Sequence, residues 1–353
     1  RADVLINCVP TSLSPSGEPD ISPIIDSTRN IAKTLRRGQL IILESTTFPG
    51  TTEEIVLSIL KQEKEKEGWQ VGKDFFLGYS PERVDPGNPR FHIANTPKIV
   101  SGVTPNCLLL VKEFYLQFVK EVVPVSSPRV AETAKLLENT YRAVNIGLVN
   151  ELALLCHKMG IDVWEVIQSA STKPFGFQPF YPGPGIGGHC IPLAPLYLAY
   201  KAREYSYHPR FLKLADKVNQ RMPDFIVERT LQYLKNLGIP PENSRILLLG
   251  VTYKAGVADI RLSPAGAIFR LLKKKGVSVD FHDPYIEEFP TEGGTLRRKG
   301  GSQPDYEQMG TYDLVLIVTA HPVYNWEKIV QNARRIFDLR NAIPFASEKV
   351  WKL

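Results

Sequence analysis

Short apolar runs at 4–9, 39–43 and 75–77 alternate with amphipathic stretches at about 20–35 and 52–66, and the same rhythm returns after residue 245. This alternation leaves few folds open. A short continuous apolar run reads as a strand buried on both faces, and the amphipathic stretch after it reads as the helix that covers the sheet. Strand, helix and strand in succession predict a parallel sheet. In the first half the pattern continues through a strand at 98–103, a helix at 107–118 and a strand at 122–126. In the second half it gives strands at 245–249, 277–282, 312–319 and 335–339, with helices at 264–275 and about 325–333.

The stretch between these halves is helical. Val130, Ala134, Leu137, Tyr141, Val144, Leu148 and Leu152 recur at helical spacing, so 129–157 is expected to form one long helix. A second helix is expected at about 162–172, a third starting at Cys190, and another long one over about 209–237 that Pro223 kinks or divides. The fold class is therefore α/β, with two Rossmann-like doubly wound domains joined by a long central helix and a helical region. The expected boundaries are 1–127, 128–238 and 239–353. The first strand begins within a few residues of Arg1, which suggests that a preceding βαβ unit belongs to this domain. If so, the strand at 4–9 should stand at a sheet edge with apolar side chains exposed.

Composition narrows the function classes. The chain has 353 residues, 43% of them hydrophobic and 23% charged, enough for two or three domains, and no run reaches the apolar length of a membrane span. A cytoplasmic location is the default expectation. Cysteines at 8, 107, 156 and 190 are too dispersed for a zinc site or a disulfide framework, so neither is expected. A net charge of +6 spread over scattered basic residues points more to an anionic small ligand than to nucleic acid.

In open α/β sheets ligands sit outside the carboxyl ends of the strands. NCVPTSL at 7–13, ESTTFPGTTEE at 44–54 and SPERVDPGN at 80–88 all fall there. Thr51 or Thr52 is placed to cap the next helix, with Glu54 closing a capping box if Thr51 is the cap, whereas Ser45 and Thr46 are freer to face a ligand. Glu82 follows a strand end in a turn-rich loop and reads by itself as a solvated carboxylate. Lys135, Asn139 and Arg142 share one stripe of the long helix, where they either face water or offer donors to an oxyanion or a phosphate.

GPGIGGHC at 183–190 places four glycines and a proline before a cysteine. Such a backbone passes close to a ligand, and a thiol at a helix start is acidified into a nucleophile; the competing reading is a buried, inert cysteine. Phe175, Phe177, Phe180 and Tyr181 precede it and either line a pocket for a flat base or sugar or pack the loop onto the core. In the second alternating half, Lys254, Arg261 and Arg340 are cations at strand ends and suggest a diphosphate site.

Together the phrases VPTSL with EPD, ESTTFPGTTEE, SPERVDPGN, KLLENTYRAVNIGLVNE, FYPGPGIGGHCIP, GVTYKAGVADIR and FHDPY resemble the UDP-glucose/GDP-mannose dehydrogenase family. Within it the likeness is to the UDP-N-acetylglucosamine and UDP-N-acetylmannosamine 6-dehydrogenases, and the phrases occur in family order across nearly the whole chain. The resemblance implies a cytosolic homodimer that uses two NAD⁺ to oxidise a sugar C6 alcohol to a carboxylate through an aldehyde, a thiohemiacetal and a thioester, serving surface polysaccharide synthesis. It implies Cys190 as nucleophile, Lys135 and Asn139 as holders of the oxyanion and a water, Glu82 in thioester hydrolysis, and Thr46 near the reacting carbon. NAD contacts are implied at Thr11, Ser45, Thr46, Glu82 and Arg261. UDP-sugar contacts are implied at Lys135, Asn139, Phe180, Tyr181, Gly183, Gly187, Lys254 and Arg340, with no metal. Two features depart from the family pattern: Ala194 stands where an aspartate is usual, and the Gly-x-Gly-x-x-Gly turn would precede Arg1. They keep open an alternative, a dimeric nucleotide-sugar-binding protein impaired in catalysis.

Overall fold

The computed structural model describes residues 2–353, which divide into two compact units, 2–141 with 193–213 and 142–192 with 214–353. In chain order the elements up to the long helix are β1 (Val4–Asn7), β2 (Ser12–Leu13), β3 (Pro19–Asp20), α1 (Ser22–Thr34), β4 (Leu40–Leu43), a π-helical turn (Thr51–Val56), α2 (Leu57–Glu63), β5 (Phe76–Tyr79), β6 (Lys98–Gly102), α3 (Pro105–Leu116), β7 (Val122–Pro124) and α4 (Pro128–Met159). There follow α5 (Val163–Ala170), α6 (Ala194–Ala202), α7 (Arg210–Asn236), β8 (Arg245–Leu249), α8 (Pro264–Lys274), β9 (Ser278–His282), β10 (Glu288–Thr291), β11 (Gly294–Arg297), β12 (Leu314–Ile317), α9 (Trp326–Asn332), β13 (Ile336–Asp338) and β14 (Val350–Lys352).

The first unit is built on a five-stranded sheet in the order β1-β4-β5-β6-β7. All four residues of β4 are buried, as expected for a strand covered on both faces. β1 is an edge strand, shorter than the expected 4–9, paired in parallel with β4; Ile6 on it is 43% exposed, while Val4 and Leu5 are half-buried. One pairing departs from the parallel pattern: β6 runs antiparallel to β5, with Tyr79 opposite Ser101. The reversal brings Lys98, at the start of β6, beside the chain that leaves the carboxyl end of β5.

The expected capping box is absent. The turn after β4 starts at Gly50, whose φ of 98° suits glycine, and no side chain of its own caps it. Its amides instead go to Glu132 of α4, a fully buried carboxylate that accepts from Gly50 N at 2.6 Å, Thr52 N at 2.9 Å and Thr52 Oγ1 at 2.7 Å. Glu54 turns outward to Lys201 at 2.7 Å and Arg129 at 2.8 Å.

The second unit has a parallel five-stranded sheet in the order β14-β13-β12-β8-β9. β12 is buried throughout, and β8 in all but its first residue. Val149, Ala153 and Cys156 of α4, Trp164 and Ile167 of α5, and Met222 and Ile226 of α7 pack into the core on one sheet face. Each large side chain so buried contributes roughly 1.5–3 kcal/mol. The hairpin β10–β11, made around Gly293-Gly294, was not foreseen from the sequence. α7 passes through Pro223 without a break. Proline cannot donate to the carbonyl four residues earlier, Asn219, and the backbone of Gly185 packs against that oxygen.

Candidate active site

In the first unit the loops at the strand ends are tied to one another. Thr11 Oγ1 donates to the Thr46 carbonyl at 2.8 Å, and Ser45 Oγ to the Val9 carbonyl at 2.7 Å. Thr11, Ser45 and Thr46 are thus brought together, and the first two are buried. Asn7, the last residue of β1, is also buried, and its Oδ1 makes no hydrogen bond within the described residues. Sequence reasoning did not single out Asn7, although an amide inside an apolar strand was a visible signal.

Glu82 and Lys135 also meet. The Lys135 ammonium, on a buried side chain of α4, donates to the Glu82 carbonyl. Arg83 ties the same loop to α4 through Glu138 at 2.7 Å and to the Pro97 carbonyl at 2.6 Å. The Glu82 carboxylate is 45% exposed and accepts from Val84 N. One turn beyond Lys135, Asn139 Nδ2 is buried and makes no hydrogen bond within the described residues. A donor held out of water without an acceptor is costly, so this amide suits a ligand oxygen.

The second unit holds the glycine-rich loop and Cys190. The expectation that a helix starts at Cys190 is corrected: α6 starts at Ala194, with Leu193 as N-cap. Two prolines, Pro192 and Pro195, compete as start signals, and the later one lies in the first turn. Cys190 is exposed on a bend that precedes the helix by several residues. Beside it, burial and then the Arg261 charge push the His189 imidazole below its usual range, and Asp259 opposes them.

The glycines admit close neighbours from this same unit. A Cβ on Gly187 would lie 2.7 Å from Tyr253 Cβ and 2.8 Å from the Leu262 carbonyl, and one on Gly183 would lie 2.5 Å from Arg340 Nη1. Gly188 has φ of 82° and donates to the Arg261 carbonyl at 2.9 Å. Gly187→Ala is expected to cost about 2 kcal/mol through overpacking against backbone, read as a lower urea midpoint. An unchanged midpoint would mean that this loop is not held by Tyr253 and Leu262.

Two buried amides, missed in the sequence, hold the other end of the loop. Asn219 Nδ2 donates to the Ala143 carbonyl at 3.0 Å, Asn150 Nδ2 donates to Asn219 Oδ1 at 2.9 Å, and Gly183 N donates to Asn150 Oδ1 at 2.9 Å. Of the aromatics, Phe180 packs partly against the core and Tyr181 stacks on Trp164 at 6.2 Å, whereas Phe175 and Phe177 stay exposed.

The expected cations lie on loops at the carboxyl ends of β8 and β13. Arg340 donates through Nε to the Val318 carbonyl at 2.8 Å, and burial pushes its guanidinium down to about 10 against the pull of Asp338. Arg261 is paired with Asp259 at 2.6 Å. Lys254 sits in a loop fixed by a buried cluster: Asp283 Oδ2 accepts from Val251 N at 2.7 Å, Thr252 N at 3.1 Å and His321 Nε2 at 3.0 Å. Because His321 Nδ1 accepts from Gly256 N, the ring is the neutral Nε2–H tautomer, donating to Asp283. Burial raises the Asp283 carboxyl, but His321 and the backbone amides outweigh it and hold the carboxyl low. Among the described residues no cluster has metal-binding composition, and no helix is long and apolar enough to cross a membrane.

Residues 1–119, 129–221 and 247–344 match, in turn, the NAD binding, central and UDP binding domain models of the UDP-glucose/GDP-mannose dehydrogenase family. The UDP-N-acetyl-D-glucosamine 6-dehydrogenase of Pseudomonas aeruginosa is 33% identical over 347 residues, covering 96% of this chain and 80% of that protein. The UDP-N-acetyl-D-mannosamine dehydrogenase of Pyrococcus horikoshii is 34% identical over 348 residues, 97% of this chain and 78% of its own. A solved structure of the Pyrococcus horikoshii UDP-D-ManNAc dehydrogenase superposes with a TM-score of 0.85 at 33% identity, covering 99% of this chain and 80% of that one.

Proposed function

Because this chain belongs to the UDP-glucose/GDP-mannose dehydrogenase family, we propose that it is an NAD-dependent 6-dehydrogenase. It oxidises a UDP-N-acetylhexosamine at C6 to the uronic acid, in the cytosol, for surface polysaccharide synthesis. The observation that carries this reading is the exposed Cys190 thiol at the end of a loop whose glycines fit against Tyr253, Leu262 and Arg340. A thiol is the group the chemistry requires: its thiohemiacetal is oxidised to a thioester that water then cleaves.

The residues present suit the cofactor in part. Asn7 Oδ1 is a buried acceptor in want of a donor, and Thr11 and Ser45 bring hydroxyl oxygens to the same strand ends. They would hold the cofactor with Thr46, Glu82 and Arg261. Bound NAD⁺ supplies the hydride acceptor for each of the two oxidations. The chain's own residues do the rest. Cys190 adds to the aldehyde carbon, Lys135 and Asn139 donate to the oxygen that gains charge, Thr46 stands near the reacting carbon, and Glu82 takes the proton of the hydrolytic water. Lys254 and Arg340 hold the diphosphate, with Phe180, Tyr181, Gly183 and Gly187 contacting the nucleotide sugar.

The active form is a homodimer. Val130, Leu137, Tyr141, Leu148, Leu155 and Met159 are all exposed on α4 at spacings of seven and four, a seam that fits a second copy.

Incubation with NAD⁺ and UDP-N-acetylglucosamine or UDP-N-acetylmannosamine should yield two NADH for each uronic acid, followed by absorbance and product mass. One observation favours a second reading. Ala194, where the family has aspartate, is fully buried among Phe48, Leu136, Leu193 and Tyr197, an apolar setting that offers a proton no path. On that reading calorimetry would detect UDP-sugar binding while no NADH formed.

A further inference from the structure

Lys98 is a buried cation that no family motif quoted above includes. Its side chain is 4% exposed, and Nζ lies 2.9 Å from Glu44 Oε1 and 3.9 Å from Glu82 Oε2. The approach to Glu44 is a close ion pair without the alignment of a hydrogen bond. The ammonium is therefore anchored electrostatically while its directed N–H donors remain available. Glu44 is fixed in turn by the Tyr115 hydroxyl, which donates to the same Oε1, and the Lys98 ammonium stands 5.1 Å from the Tyr115 ring centroid.

The topology creates this cluster. Glu44 follows β4, Glu82 follows β5, and the antiparallel return of β6 delivers Lys98 between them. Three tethers then act on Glu82: Lys135 on its carbonyl, Val84 N on Oε1, and the Lys98 charge near Oε2. The first two fix the backbone and one oxygen. Among the described residues only Lys98 acts on the other oxygen, in a side chain otherwise 45% exposed and free to swing toward water.

We propose that Lys98 is a positioning residue for thioester hydrolysis, holding the Glu82 carboxylate in the orientation that activates the attacking water. The inference rests on the reaction proposed above. In the step concerned, water adds to the thioester carbonyl and its proton passes to Glu82. The C–S bond then breaks and Cys190 leaves as thiolate. Without Lys98 both oxidations proceed and hydrolysis stalls, so the acyl group stays on sulfur.

The test is a chase with NAD⁺ and the UDP-N-acetylhexosamine that the wild-type enzyme turns over, quenched in acid and analysed by intact and peptide mass. Glu82→Gln serves as reference and should retain an acyl adduct on the Cys190 peptide. Lys98→Met should accumulate the same adduct, with kcat lowered about 10- to 100-fold and KM within about twofold. Lys98→Arg should restore most of the turnover. Because Lys98→Met strands the Glu44 charge, Glu44→Gln/Lys98→Met keeps the test valid if the single variant fails to fold, and the adduct should persist in it. If Glu82→Gln traps the adduct while the folded Lys98 variants turn over normally without one, the role of Lys98 is overturned and the parent reaction stands. If no variant, Glu82→Gln included, ever carries an adduct, the covalent reaction itself fails and this inference falls with it.

Discussion

Replacing Cys190 by alanine is expected to abolish uronate formation, lowering turnover by about 10⁴-fold or more, and to leave the thermal midpoint unchanged. The size of the effect follows from the proposed chemistry, in which the second oxidation requires a covalent adduct: removing the nucleophile of a covalent mechanism typically costs several orders of magnitude. The unchanged stability follows from the exposure of the thiol, since truncating an exposed side chain opens no cavity. Serine at this position separates the competing chemistries. Its hydroxyl is far less ionised and a far poorer leaving group, so acid production should be lost in Cys190→Ser as well. A dehydrogenase of similar architecture acting on a small hydroxy acid needs no thioester and would keep its rate. NADH release together with the mass of the product decides the matter, and full turnover by the serine enzyme would remove the thioester from the mechanism.

The second large effect concerns stability. Glu132 is fully buried, and desolvation pushes its carboxyl up to about 7 from 4.5 despite three hydrogen bonds that favour the charged form. The folded protein therefore holds this proton more tightly than the unfolded chain does. Stability from this group is greatest below the unfolded value near 4.5 and is lost as pH rises through about 7. Between pH 5.5 and pH 8 the expected loss is about 2 kcal/mol. Urea titrations at both pH values, on wild type and on Glu132→Gln, measure it as the difference of differences, which cancels other titrating groups. The glutamine variant should lack this slope. Parallel pH profiles for the two proteins would show that Glu132 is ionised throughout.

The alternation of apolar and amphipathic stretches was sufficient to read the strands of the two five-stranded sheets apart from β14 and the direction of β6, because strands covered on two faces leave an unambiguous run; β8 lies where 245–249 had put it. Local signals did less well where two of them competed or where the partner was remote. Two prolines bracket the start of α6, and spacing could not choose between them. Thr51 and Glu54 carry the letters of a capping box, yet the amides such a box would take go to the Phe48 and Gly50 carbonyls, and the neighbouring Gly50 and Thr52 amides go to a carboxylate about 80 positions away. The same distance problem hid Lys98, whose partners are set by one antiparallel pairing in an otherwise parallel pattern. Asn7, Asn139 and Asn150 show what was legible in principle: polar residues on apolar strands or helix faces mark places where a hydrogen bond has to be found.

The amide relay from Ala143 through Asn219 and Asn150 to Gly183 has a polarity. Each amide gives with its nitrogen and takes with its oxygen, so inverting either one sets like against like at both of its ends. The arrangement is in this sense a keyed lock with one insertion. Gly183, and with it the peptide leading to Cys190, is offered one seat rather than a range of neighbouring ones.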